Sequence, residues 1–303
     1  MRWTRGESDE NVEDRRDEGG QGGGGGFGGG GMRLGLGGLI VVGLLSLVFR
    51  RNFFALLDTG GGPGPSTEVA TSQRSQSAPE SPRAPRPRDP REEERKQFVT
   101  FVLNDTQRTW KKLFPAIGRT YTDAHLVLFR DATRSACGAA QTSSGPFYCP
   151  GDRKVYIDLG FYDELARRFG APGEFAQAYV VAHEIGHHVQ TLLGIEGKVH
   201  QQQQAHQNQA NDLSVRLELQ ADCLAGVWGH STEERGILDK GDVESGLKAA
   251  AAVGDDRIQK MTQGQIHPET FTHGSSRQRV EWFQKGFTSG DLNACDTFRP
   301  SRL

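Results

Sequence analysis

Residues 179–190 read Tyr179-Val-Val-Ala-His-Glu-Ile-Gly-His-His-Val-Gln190, and within them His183-Glu184-Ile185-Gly186-His187 decides the fold. Two histidines four apart on a helix project from one face, one turn above the other, so both imidazoles can reach a single ion. Glu184 stands beside the first of them, within reach of a water bound to that ion. Pro172-Gly173 suits a helix start, and Gly194 follows Leu192-Leu193 where a helix would stop. Between these limits Phe175, Ala178, Ala182, Ile185, Val189 and Leu192 recur at three and four residues. That spacing predicts a buried stripe, with the histidines on a face beside it.

Two imidazole nitrogens and a carboxylate base form the arrangement that zinc peptidases use. A catalytic zinc takes a third protein ligand and leaves its fourth position to water. The segment Ser214–Trp228 predicts a second helix, with Leu217, Ala221, Leu224, Ala225 and Trp228 as its apolar stripe. Glu218 and Asp222 lie one turn apart in this otherwise apolar stretch. Glu218 is assigned as the third ligand. Asp222 is assigned as the acceptor that fixes the ring of His183, since ligating histidines donate their other ring nitrogen to such a partner. The reverse assignment, with Asp222 on the metal, stays open at this point because either carboxylate binds zinc.

His183-Glu-Ile-Gly-His187 followed by Glu218-Leu-Gln-Ala-Asp222 resembles the gluzincin pattern. More closely, the chain resembles the bacterial putative neutral zinc metallopeptidase family. The matching segments are Ala136–Ala139, Gly145–Pro150, Val155–Leu159, Phe169–Gly173, Phe175–Tyr179, Arg216–Trp228, Phe271–Ser276 and Ala294–Phe298, over roughly residues 97–300. The resemblance implies an α+β, mainly helical, zincin-like domain and a membrane-anchored peptidase. By the same resemblance His273 hydrogen-bonds the oxyanion of the tetrahedral intermediate and Arg279 positions a carboxylate or backbone group. From spacing alone, His273 is equally a cap of the terminal helix. Lys154–Leu159 reads as a short strand, either an edge against which a peptide is held or an interior strand.

The other histidines suggest no second site. His188 points about 100° away from His187 on the helix, as a packing residue or a support behind a ligand would. His200 and His206 adjoin a glutamine-rich run without acidic or cysteine partners, and His230 and His267 form no constellation.

Residues 1–31, charged and then nearly pure glycine, read as disordered. Residues 32–49 carry only Arg33 as a charge and approach the about 18 residues that cross a bilayer, so they read as a transmembrane helix. Residues 50–96, rich in Pro, Ser and Arg, read as a linker, leaving 97–303 as the catalytic domain. Among the three pairings of four cysteines, the natural one joins Cys137 to Cys149 and Cys223 to Cys295, which calls for an oxidising compartment. The expected location is therefore the cytoplasmic membrane, single-pass, with the domain on the extracytoplasmic side. A net charge of −2 and dispersed linker arginines give no reason to expect nucleic acid.

The expected activity is zinc-dependent endopeptidase action on a protein or peptide, with His183, His187 and Glu218 on Zn²⁺, Glu184 as base and His273 at the oxyanion. Two alternatives are weighed against it. One is a catalytically inactive, zinc-stabilised binding protein at the membrane, and the other a metallohydrolase acting on a different amide. A structural zinc normally has four protein ligands, and no fourth is evident.

Overall fold

The computed structural model of the chain describes residues 1–18, 89–142 and 145–299. Its main sheet is built on a run that is apolar at consecutive positions, Leu126 to Phe129, and such a run needs cover on both faces. This run lies in β2 (His125–Phe129), which has β1 (Val12–Asp14) and β6 (Lys154–Asp158) as parallel neighbours. β5 (Phe147–Cys149) pairs antiparallel with β6 and forms the far edge, so the order is β1-β2-β6-β5. Alternate side chains leave a strand in opposite directions. Leu126, Leu128, Val155 and Ile157 enter the main core, while Val127, Phe129 and Tyr156 meet Ala140 in a smaller one. Ala140 belongs to the antiparallel hairpin of β3 (Ala132–Ser135) and β4 (Gly138–Gln141), which covers the second face.

The remaining described chain is helical: α1 (Pro90–Leu113), α2 (Phe161–Arg167), α3 (Glu174–Leu193), α4 (Ile195–Ala205), α5 (Ala210–Glu234), α6 (Asp242–Ala252), α7 (Asp255–Gln263) and α8 (Ser276–Ser289). α3 is the central element, packed on α1 and the sheet on one side and on α5 and α6 on the other. It starts after Gly173 and ends at Gly194, whose φ of 72° is the left-handed geometry that glycine accepts without strain. Its fully buried Phe175 stacks on Trp228 of α5 with centroids 5.7 Å apart. Burial of a phenylalanine of this kind contributes about 1.5–3 kcal/mol. α5 and α8 meet backbone to backbone: a Cβ added at Gly286 would stand 1.9 Å from the carbonyl oxygen of Cys223. The class is thus α+β and mainly helical, as the sequence suggests.

Two sequence expectations change. Residues 1–18 belong to the folded unit rather than to a disordered stretch over 1–31. β1 adds to the sheet through backbone hydrogen bonds, and Trp3 packs edge-on against Phe98 at 5.4 Å. Charge supplies the rest: Arg16, 3% exposed, binds Asp14 and Glu93, Lys96 reaches Asp14, and Glu13 pairs with Lys154. Composition undervalues such a segment because strand pairing and ion contacts, beside the few apolar contacts of Met1, Trp3 and Val12, hold it.

The domain also begins before residue 97. Pro90, read as a linker proline, occupies the first turn of α1, where a missing N–H costs nothing, and Asp89 caps the helix by accepting from the Arg91 amide at 2.9 Å. Lys154–Asp158 is an interior strand, and the edge is β5. The expected membrane helix at 32–49, like residues 19–31 and 50–88, lies outside the described residues. Among the described residues no helix is long and apolar enough to cross a membrane. Both expected disulfides are formed, Cys137–Cys149 and Cys223–Cys295.

Candidate metal centre and its surroundings

Two helices must come unusually close for side chains from both to share one ion, and Gly186 permits it. A Cβ at this position would lie 2.9 Å from the carbonyl oxygen and 3.0 Å from the Cα of Ala221. α3 and α5 therefore touch main chain to main chain, midway between His183 and His187 on one and Glu218 and Asp222 on the other. The histidine rings stand perpendicular, with centroids 4.9 Å apart. Glu218 faces both: one carboxylate oxygen is 3.2 Å from His183 Nε2 and the other 3.5 Å from His187 Nε2. One ligand atom from each of the three residues lies within 4.8 Å of the other two, close enough to hold a metal ion. Two imidazoles and a carboxylate are the donor set that suits zinc.

His183 is held from behind by charge. Its Nδ1 lies 2.9 Å from Asp222 Oδ1. The same oxygen accepts from the Tyr179 hydroxyl and from Arg279 Nη2 at 2.9 Å, while Oδ2 accepts from Arg279 Nε at 2.8 Å. Both Asp222 oxygens are thus occupied by protein donors, whereas those of Glu218 face the imidazoles. The geometry favours Glu218 over Asp222 as the carboxylate for the metal. Asp222 is wholly buried and Arg279 is 3% exposed. Burial alone would raise the Asp222 carboxyl, but Arg279 and then His183 outweigh it and hold it below the usual range. Burial likewise opposes a charged His183, yet Asp222 and Glu218 bring its imidazole up to about 10. A cation on Nε2 would replace that proton.

His187 rests on a neutral partner, with its Nδ1 2.9 Å from Gln190 Oε1 one turn along α3. Glu184 is not among the three converging residues and is only 7% exposed. Burial pushes its carboxyl upward, in part against the pull of His183 and His187. The result is a carboxylate with increased appetite for a proton.

His273 lies beside this group rather than capping α8. Ser275 is the N-cap, in a reciprocal capping box with Gln278. Asp255, at the start of α7, builds the His273 turn. Its Oδ2 accepts from the amides of Thr272, His273 and Gly274 at 2.7, 2.6 and 3.1 Å, and its Oδ1 is 3.3 Å from His273 Nδ1. Burial would lower the His273 imidazole, but Glu218 and then Asp255 raise it. In return His273, ahead of His187 and His183, overcomes the effect of burial on Glu218 and holds it well below the carboxylate range.

His188 binds Tyr148 and the Thr122 carbonyl, away from this cluster. Sequence reasoning missed Tyr179, Gln190 and Asp255. Tyr179 lies four residues before His183 and Gln190 three after His187, which puts each on its histidine's helix face. Asp255 offered no comparable signal.

The sequence pattern of the family described as "Putative neutral zinc metallopeptidase" matches residues 1–298. The chain is 49% identical over 304 residues to the uncharacterized protein YpfJ of Escherichia coli (strain K12), covering 99% of this chain and 100% of YpfJ. It is 46% identical over 211 residues to the uncharacterized protein Rv2575 of Mycobacterium tuberculosis (strain ATCC 25618 / H37Rv), covering 66% of this chain and 69% of that one. No solved structure matches. With its His183-Glu184-xx-His187 helix, its Glu218 and a match that runs almost end to end, the chain belongs to the putative neutral zinc metallopeptidase family.

Proposed function

We propose that the chain is a zinc-dependent endopeptidase in which His183, His187 and Glu218 hold the metal. The observation that carries this reading is the convergence of those three side chains beside a buried Glu184 that takes no part in the cluster. When bound there, zinc would supply Lewis acidity toward the scissile carbonyl and toward a water. Glu184 takes the proton from the attacking water and returns it to the leaving amine. His273, oriented by Asp255, donates a hydrogen bond to the carbonyl oxygen as negative charge develops on it. Arg279 and Tyr179 fix Asp222, and Asp222 fixes the ring of His183. The edge strand β5 packs near α3 and offers backbone groups along which an extended peptide can lie.

The two disulfides support work in an oxidising compartment, outside the cytoplasm. Attachment to a membrane belongs to the same proposal and rests on the apolar sequence of residues 32–49.

Metal analysis of the purified full chain, paired with a peptide-library cleavage assay, tests the reading. A single zinc per chain together with cleavage is the expected result. Zinc without cleavage of any peptide would favour a zinc-stabilised binding protein, and a chain that takes up no zinc would overturn the metal centre.

A further inference from the structure

The two histidines are anchored by partners of different kinds, and the anchor of His187 extends well beyond Gln190. Gln190 Nε2 donates to the Leu217 carbonyl at 2.8 Å and to Gln220 Oε1 at 3.1 Å. Gln220 Nε2 in turn donates to the Cys295 carbonyl at 2.9 Å. Backbone carbonyls only accept, so Leu217 and Cys295 dictate which end of each amide is nitrogen. With its nitrogen held by Leu217, Gln190 Oε1 has to accept from His187. The proton then sits on Nδ1, and the Nε2 lone pair faces Glu218. Gln190 and Gln220 are 0% and 6% exposed, so little water competes for these bonds.

The far end of this chain of amides is itself fixed. Cys295 closes the turn Leu292–Cys295 and is joined to Cys223 of α5 by a disulfide. Just beyond it, Arg216 donates to the Thr297 carbonyl at 2.7 Å, and the Thr297 hydroxyl donates to the Arg216 carbonyl at 2.8 Å.

We propose that Gln220 is a positioning residue for His187, and that the Cys223–Cys295 disulfide anchors a neutral amide relay that holds Gln190, and through it the ring of that histidine, in place. The inference rests on the reading of His187 as a metal ligand. It follows that breaking a disulfide that is not itself in the metal cluster weakens metal binding there. The relay holds the ring without placing another negative charge beside Glu218 and Asp222.

Zinc affinity of the full chain, measured by competition with a chromophoric chelator, provides the test. Gln220→Leu is expected to weaken zinc binding about ten- to a hundredfold, the usual scale for losing such a support. Cys223→Ala with Cys295→Ala is expected to weaken it by a similar factor. Combining all three substitutions should add little, because the same relay is already broken. Thr297→Val loosens the same C-terminal segment without touching the relay, so it should lower stability while leaving zinc affinity near the parent value. If the cysteine pair does not fold without its disulfide, Gln220→Leu and Thr297→Val still decide the matter. Parent-like affinity in Gln220→Leu, or an equal loss in Thr297→Val, would overturn the inference. A parent chain that binds no zinc would overturn the proposed function instead.

Discussion

Glu184→Gln is expected to bind zinc as tightly as the parent chain while cleaving peptide about a hundred- to ten-thousandfold more slowly, the range that a general base contributes. The separation follows from where the side chain sits. Glu184 lies on the same helix as both histidines, yet the cluster that can hold the metal comprises, among the described residues, His183, His187 and Glu218. Glutamine keeps its size and removes its ability to take a proton. Stability should not fall either. Burial already disfavours the ionised form of Glu184, so neutralising it removes a cost instead of a contact. Zinc content, chelator competition and turnover on one peptide, measured on both proteins, check this directly. Turnover equal to the parent's would remove Glu184 from the proton path.

The largest effect on stability is expected at Arg279. Its guanidinium makes two hydrogen bonds to Asp222, a third to the Tyr179 hydroxyl and a fourth to the Val253 carbonyl. Arg279→Leu leaves the wholly buried Asp222 carboxylate without its counter-ion, a situation that costs about 3–5 kcal/mol. Adding Asp222→Leu removes the stranded charge and should recover much of that loss, because replacing a buried ion pair by apolar groups is often close to neutral. Zinc affinity should not recover with it, since His183 would still lack its acceptor. Denaturant unfolding of the metal-free proteins, set beside chelator competition, separates the two quantities. A loss below about 1 kcal/mol in Arg279→Leu, the scale of an exposed pair, would mean that the network adds little to the fold.

The sequence was most informative where local rules and tertiary demands coincide. α3 shows itself through its three-four spacing and the glycines at both ends, and these are the limits the helix adopts. Glu218 and Asp222 stand out because acids are rare within an apolar stripe. Gly186 sits inside the motif, but its purpose becomes visible only against Ala221. Arg279 is suggested by the family resemblance, and its partner Asp222 emerges only once α8 is folded onto α5. Gln220 looks like an ordinary polar residue of a helix until the Cys295 carbonyl is brought to it from the end of the chain. Pro90 misleads because proline is as much at home in the first turn of a helix as in a linker. β1 misleads for another reason: its partner strand lies far along the chain, and no periodicity in Val12–Asp14 announces it.

The pairing of β1 with β2 carries a consequence of parity. Strands hydrogen-bonded in one sheet share a compartment, so residues 12–14 lie on the same side of any bilayer as residues 126–128. A chain that leaves one side and returns to it crosses an even number of times. Residues 32–49 are about the length of one crossing, so a single-pass anchor and the pairing of β1 with β2 place opposite demands on the chain. A single-pass anchor would require β1 to leave the sheet, whereas β1 paired with β2 keeps residues 12–14 and 126–128 on one side. Epitope tags at the two ends of the chain are therefore expected to be digested together by protease added to intact spheroplasts, or protected together. Digestion of only one would show that β1 leaves the sheet in the cell.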